Sequence, residues 1–150
     1  MNKSGETDWL GAFTFRHSLR VRWSEVDRQG IVFNPNYLLY FDVGLTEYMR
    51  AIDYSYPQEL LSGGSDLFAV TSTINFRSPA RYDDFIHIYF RTARIGRSSL
   101  GFEAAVAREA TLLADGSIVY VNVGTELGKP SPVPDRLKER INRFEQTQPL

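Results

Sequence analysis

The chain contains no cysteine. That excludes disulfides, thiolate metal sites and a cysteine nucleophile, and it fits a cytoplasmic protein. Histidine is scarce: His17 and His87 stand far apart in no metal-ligand spacing, so each reads as a strand-surface or satisfied core residue and no metal site is expected. Lysine is limited to Lys3, Lys129 and Lys138. No apolar run approaches the roughly 20 residues of a membrane span, and Met1 to Gly11 offers no signal-peptide core. Charge of one sign is also missing: the net charge is -1, so nothing global points to nucleic acid or an anionic membrane surface. Nucleophile-elbow, P-loop and dinucleotide-binding glycine motifs are absent.

What the chain does have is 150 residues, enough for one domain with a real core, and a positive charge carried mostly by arginine. Arginine's planar fork suits phosphate, which keeps a phosphate-bearing ligand in play; compositional drift explains the same bias.

Residues 1–13 read as a flexible polar lead, 14–145 as one domain and 146–150 as a tail. From Phe15 the pattern alternates, with Leu19, Val21 and Trp23 on one side, which predicts a half-buried strand. After Asn34 the period becomes helical: Tyr37, Tyr40, Phe41, Gly44, Tyr48 and Ile52 form one face. Gly44 costs about 1 kcal/mol of helix propensity against alanine, so it marks close backbone packing. Strands are predicted at Leu67–Phe76 and Phe85–Arg94, along Leu100, Phe102, Ala104 and Val106, and at Ser117–Thr125. Ala114-Asp115-Gly116 is predicted as a tight turn before the last strand. A terminal helix over Asp135–Phe144 has Leu137 and Ile141 as its apolar anchors. One early helix and a run of antiparallel strands make an α+β fold, a curved sheet of about five strands around a long central helix. Its exposed edges predict a homo-oligomer, a dimer at least.

The most informative run is Trp23 to Tyr37, read as a strand ending in an acid, a turn at Gly30, and a helix opened by Asn34 as N-cap with Pro35 at the first helical position. Unpaired first-turn amides and the positive helix end would then face the same space as Asp27. A carboxylate beside such an oxyanion site is what hydrolysis of an activated acyl group requires. Asp27 also reads as a plain turn residue. Glu25, two residues earlier, either shares Asp27's face or pairs with an arginine such as Arg22 or Arg28. Gly30 lets the backbone turn, with or without a ligand close by. Arg97, Ser98 and Ser99 follow Gly96 at a strand end, either as a phosphate-binding cluster or as a solvated hairpin.

The segment Asp27-x-x-Gly30-Ile31-Val32-x-x-Pro35-Asn36-Tyr37 resembles the active-site signature of hot-dog-fold acyl-CoA thioesterases, the 4-hydroxybenzoyl-CoA thioesterase-like family that includes the Tol–Pal-associated thioesterases. Ser78 to Asp84 and Gly96-Arg97-Ser98-Ser99-Leu100 agree with it, and the resemblance spans residues 16 to 143. It implies a hot-dog fold in dimers that associate into tetramers, with sites at subunit interfaces. It implies Asp27 as general base or nucleophile and the Asn34 backbone amide as oxyanion donor. Gly30, Val32, Tyr37, Arg97, Ser98 and Ser99 would contact an acyl-CoA substrate, with no cofactor beyond the coenzyme A of that substrate. Many relatives carry histidine, and some tyrosine, at the Asn34 position; asparagine keeps the amide and drops any part an imidazole would play. A carrier-protein thioesterase, or an acyl-CoA binder without turnover, would share these features. A hot-dog dehydratase would need histidine in a context that neither His17 nor His87 supplies.

Overall fold

The period-two stretches become one antiparallel sheet. The computed structural model describes residues 9–150. Its strands are β1 (Phe15–Arg20), β2 (Ser65–Phe76), β3 (Phe85–Ile95), β4 (Ser99–Arg108) and β5 (Thr111–Gly124), in the order β1-β3-β4-β5-β2. Helix α1 (Asn36–Ala51) is the long one; α2 (Gln58–Ser62) and α3 (Asp135–Phe144) are shorter. This is the expected α+β hot-dog arrangement. Residues 1–8 of the expected lead lie outside the described residues. From Trp9 the chain turns and packs Phe13 against Tyr89.

Helix α1 buries its predicted aromatic face, Tyr37, Tyr40, Phe41 and Tyr48. Gly44 sits on the middle of β3, where a Cβ would come within 3.0 Å of Ile88 and 3.1 Å of Phe90. The glycine therefore permits the close approach that the sequence predicted. Ile86, Ile88 and Phe90 of β3 and Leu100, Phe102, Ala104 and Val106 of β4 complete that core. Each large side chain buried here contributes roughly 1.5–3 kcal/mol. Helix α3 anchors through Leu137 and Ile141, both fully buried, as expected.

Two local predictions fail. The first strand stops at Arg20 rather than running to Trp23. Val21 instead exchanges backbone hydrogen bonds with Asp83 and Asp84, and Trp23–Glu25 form a 3-10 turn that leaves Trp23 exposed. The tight turn at Ala114–Gly116 does not exist either, because β5 runs straight through it. Gly116 lies where β2 and α1 both press on β5: a Cβ there would collide with the Thr73 carbonyl oxygen and meet Phe41 at 3.0 Å. The β4–β5 reversal falls at Glu109, which takes φ +53°. Glycine at 116 marked a close approach, not a turn.

Among the described residues no helix is long and apolar enough to cross a membrane.

Candidate active site

Residues 26–32 make a tight hairpin. Val26 bridges Val32, the Asp27 N–H donates to the Ile31 carbonyl at 2.9 Å, and the Gly30 N–H returns to the Asp27 carbonyl at 2.9 Å. Gly30 holds φ +77°, a conformation that favours glycine, and a Cβ there would meet nothing within 4 Å. Its requirement is the turn itself. Asp27 is half-buried, and its Oδ1 accepts the Gln29 N–H at 2.7 Å. One oxygen thus orders the turn, and the other has no partner among the described residues.

The returning arm of the hairpin is fastened to the segment after β2. The Val32 N–H donates to the Ala80 carbonyl at 2.8 Å, and Ile31 bridges Arg81. The chain then enters α1, one residue later than predicted. Pro35 already has helical backbone angles, but the regular helix begins at Asn36, and no side-chain hydrogen bond caps it. The amides of Asn36, Tyr37 and Leu38 are not free either, since they donate to Phe33, Asn34 and Pro35 carbonyls at 2.8, 3.2 and 3.1 Å. The backbone tightens its first turn onto itself. What remains is the Asn34 N–H, which has no acceptor among the described residues. The expected set of open amides reduces to this one donor.

A cavity of about 260 Å³ is lined by Ile31, Val32, Asn34 and Tyr37 together with Phe76 and Pro79. Asp27 does not line it, but is bonded to Ile31, which does. Phe76 and Pro79 were not predicted as site residues. They sit where β2 ends, a junction that only the tertiary fold brings to the hairpin. A larger hollow of about 370 Å³, between Met49, Arg50 and Tyr54, holds none of the predicted residues. Tyr37 and Tyr40 stay protonated, their hydroxyl pKa values raised by burial.

Glu25 takes the second of its two expected roles, pairing with Arg22 rather than with Asp27. The 3-10 turn removes it from Asp27's face, and it is buried rather than on the surface. Arg22 is its partner, with guanidinium nitrogens 2.6 and 3.0 Å from Oε2. Burial pushes the Glu25 carboxyl up, but the hydrogen bonds from Arg22 and Tyr40 outweigh it and hold the group below the usual carboxylate range.

Arg97, Ser98 and Ser99 do not join this site within one chain. They form the β3–β4 reversal, tied down by Asn122 and Val133 amides donating to Ser98 and Arg97 carbonyls at 2.7 and 2.9 Å. The hairpin after β1 lies near Phe85, where β3 begins, and the Arg97 turn follows Ile95, where it ends. The 11 residues between span about 35 Å at roughly 3.3 Å each. Arg77 is drawn into an ion pair with Asp115 at 2.7 Å. Asp84 takes Arg108 at 2.6 Å, as suits a polar turn. His87 accepts or donates to Ser18 at 2.6 Å on the sheet surface, and no cluster of three metal-capable side chains occurs among the described residues.

The chain is similar to several known proteins. The sequence profile described as the thioesterase-like superfamily matches residues 21–141. The acyl-CoA thioester hydrolase YbgC of Escherichia coli O157:H7 is 29% identical over 134 residues, 88% of this chain and 96% of that protein. The acyl-CoA thioesterase YbgC of Haemophilus influenzae is 28% identical over 120 residues, 79% and 86% of the two chains. A crystal structure of a Thermus thermophilus thioesterase complexed with coenzyme A and zinc superposes with TM-score 0.77 at 29% identity, over 93% of this chain and 98% of that one.

Proposed function

The chain belongs to the thioesterase-like superfamily, and from that premise we propose that it is a hydrolase converting an acyl-CoA thioester to a free carboxylic acid and coenzyme A. One observation carries the reading: the hairpin that bears Asp27 and the helix entry whose Asn34 N–H has no acceptor among the described residues both line one apolar-walled cavity, through Ile31 and Val32 and through Asn34.

The acyl group lies against Val32, Tyr37 and Phe76, and Gly30 leaves open space beside it. The Asn34 N–H donates to the thioester oxygen as negative charge develops there, helped by the positive end of α1. Asp27 acts through its unpartnered oxygen. As a base it takes a proton from water while the water oxygen bonds to the acyl carbon. As a nucleophile it forms an anhydride that water then opens. Either way the carbon–sulfur bond breaks and coenzyme A leaves as a thiolate, a leaving group that needs no strong acid. The reaction draws on water and substrate alone, in the cytoplasm.

The coenzyme A phosphates meet Arg97, Ser98 and Ser99 of a second copy of the chain, since one chain cannot span both groups. Strand β2, the longer of the two edge strands, is the edge this assembly uses, and it leaves Phe68 and Val70 exposed. A dimer is the minimum unit of this reading and a tetramer its extension.

The test is release of free thiol from a panel of acyl-CoAs of short, branched, long and aromatic chain. Turnover on any of them supports the reading and ranks the acyl groups. Turnover only on acyl carrier protein thioesters would move the substrate class. Binding of acyl-CoA without turnover on either would leave a non-catalytic binder.

A further inference from the structure

We propose that Glu25 is the positioning residue of this site, fixing the Asp27 hairpin against the Asn34 amide without touching substrate. The proposal rests on the reading above, in which Asp27 and Asn34 act together.

Glu25 accepts six hydrogen bonds, three from Arg22 and one each from Tyr40, Phe33 and Asn36. Its Oε1 accepts the Arg22 backbone N–H at 2.8 Å and the Tyr40 hydroxyl at 3.1 Å. Its Oε2 accepts hydrogen bonds from Nε and Nη2 of Arg22. Its carbonyl accepts the Phe33 N–H at 2.9 Å and the Asn36 side-chain amide at 2.8 Å. Glu25 precedes Asp27 by two residues, and Phe33 directly precedes Asn34. The Phe33 bond therefore closes the base of the hairpin. Tyr40 and Asn36 both belong to α1, so the same residue also sets the helix against the hairpin.

This arrangement has a cost that packing alone does not require. A buried carboxylate must be fully hydrogen-bonded to be tolerated, and an apolar side chain would fill the volume without that demand. An apolar residue would keep the two carbonyl bonds but release the Arg22 and Tyr40 ends. The hairpin could then slide relative to the helix. A misplacement of about 1 Å between reacting groups costs on the order of 10²-fold in rate.

The test compares Glu25→Ala, Glu25→Gln and Asn36→Ala, each assayed well below its own unfolding temperature. Glu25→Ala and Asn36→Ala should lower kcat roughly 10- to 100-fold while KM moves less than about threefold, with the pH profile unchanged in shape. Glu25→Gln should recover most of the loss, because an amide oxygen still accepts from Arg22 N–H and Tyr40. Losses confined to KM, or losses matching only the unfolded fraction, overturn the proposal. A second readout is independent of turnover: in Asn36→Ala the Phe33 amide should exchange its hydrogen faster at an unchanged global unfolding temperature. Unchanged exchange overturns the proposal even if activity falls. If the wild-type protein hydrolyses no thioester at all, the hydrolase reading falls, and the exchange result alone decides the role of Glu25.

Discussion

The Tyr37 hydroxyl accepts the Ala80 N–H at 3.3 Å, joining the first turn of the central helix to the segment that follows β2. The Ala80 carbonyl in turn accepts the Val32 N–H, so one residue beyond β2 holds two walls of the cavity. The ring of Tyr37 packs edge-on against Phe76 at 5.4 Å between centroids. Replacing Tyr37 by phenylalanine keeps that ring and strands a buried N–H. The expected loss is about 1–2 kcal/mol, a Tm lower by a few degrees, with acyl-chain preference unchanged. Thermal unfolding and the acyl-CoA panel check both halves; a changed preference would mean the hydroxyl itself meets the substrate.

Asp27→Asn separates turn from chemistry. Asparagine's oxygen still accepts the Gln29 N–H, so the hairpin survives, while the charge that activates water or attacks the carbonyl is gone. Activity should fall on the order of 10²-fold or more with Tm essentially unmoved. Undiminished turnover by a stable variant would place the reacting acid elsewhere.

Arg97→Ala addresses the other half of the substrate. Losing one charge-assisted contact to phosphate is worth about 1.5 kcal/mol, or roughly a tenfold rise in KM for acyl-CoA. An acyl-pantetheine thioester, which lacks the nucleotide phosphates, should show no change. An equal rise for both substrates would return Arg97 to its role as a hairpin residue.

Most of the scaffold was legible because it is written in local periodicity. Helix α1, strands β2 and β3, the alternation of Leu100 to Val106 and the anchors of α3 all follow from spacing. The failures lie where tertiary contacts override local signals. Trp23 continues the alternation but leaves the sheet, because Val21 pairs with the Asp83–Asp84 segment, far along the chain. The pairing of Glu25 with Arg22 was within reach of local spacing, but nothing in that spacing announces Tyr40 or Asn36. Val32, Asn34 and Tyr37 line one cavity and lie close together in sequence, whereas Phe76 and Pro79 become their neighbours only through the sheet.

Gly116 makes the same point in a form that can be measured. A turn glycine exchanged for alanine would lose about 1 kcal/mol. Here the added methyl group would strike the Thr73 carbonyl and force β2 away from β5. Overpacking of this kind typically costs about 1–3 kcal/mol, and a collision with backbone lies at the top of that range or above it. Gly116→Ala should therefore be poorly soluble or unfold well below wild type, and chemical denaturation gives the value. A loss under about 1 kcal/mol would contradict the packing at this crossing.

Glu145 offers a pH test with a definite sign. It follows α3, is 3% exposed, and its Oε1 accepts the Tyr48 hydroxyl at 2.7 Å and the Thr92 N–H at 3.0 Å. Its Oε2 is buried with no hydrogen-bond partner among the described residues. Burial raises its carboxyl pKa, outweighing the opposing effects of Tyr48, Thr92, Arg91 and Thr14. The folded protein thus holds this proton more tightly than the unfolded chain. The resulting stabilisation is complete below the ordinary value of 4.5 and is lost as pH rises through the folded value. Glu145→Gln does not titrate, so its Tm relative to wild type should climb as pH rises above the ordinary value of 4.5. The lowered carboxyl of Glu25 acts in the opposite sense, but it is common to both proteins and cancels in the difference. A difference that shrinks with rising pH would mean that attraction to the Arg91 guanidinium, which is itself nearly buried, outweighs the cost of burying the charge.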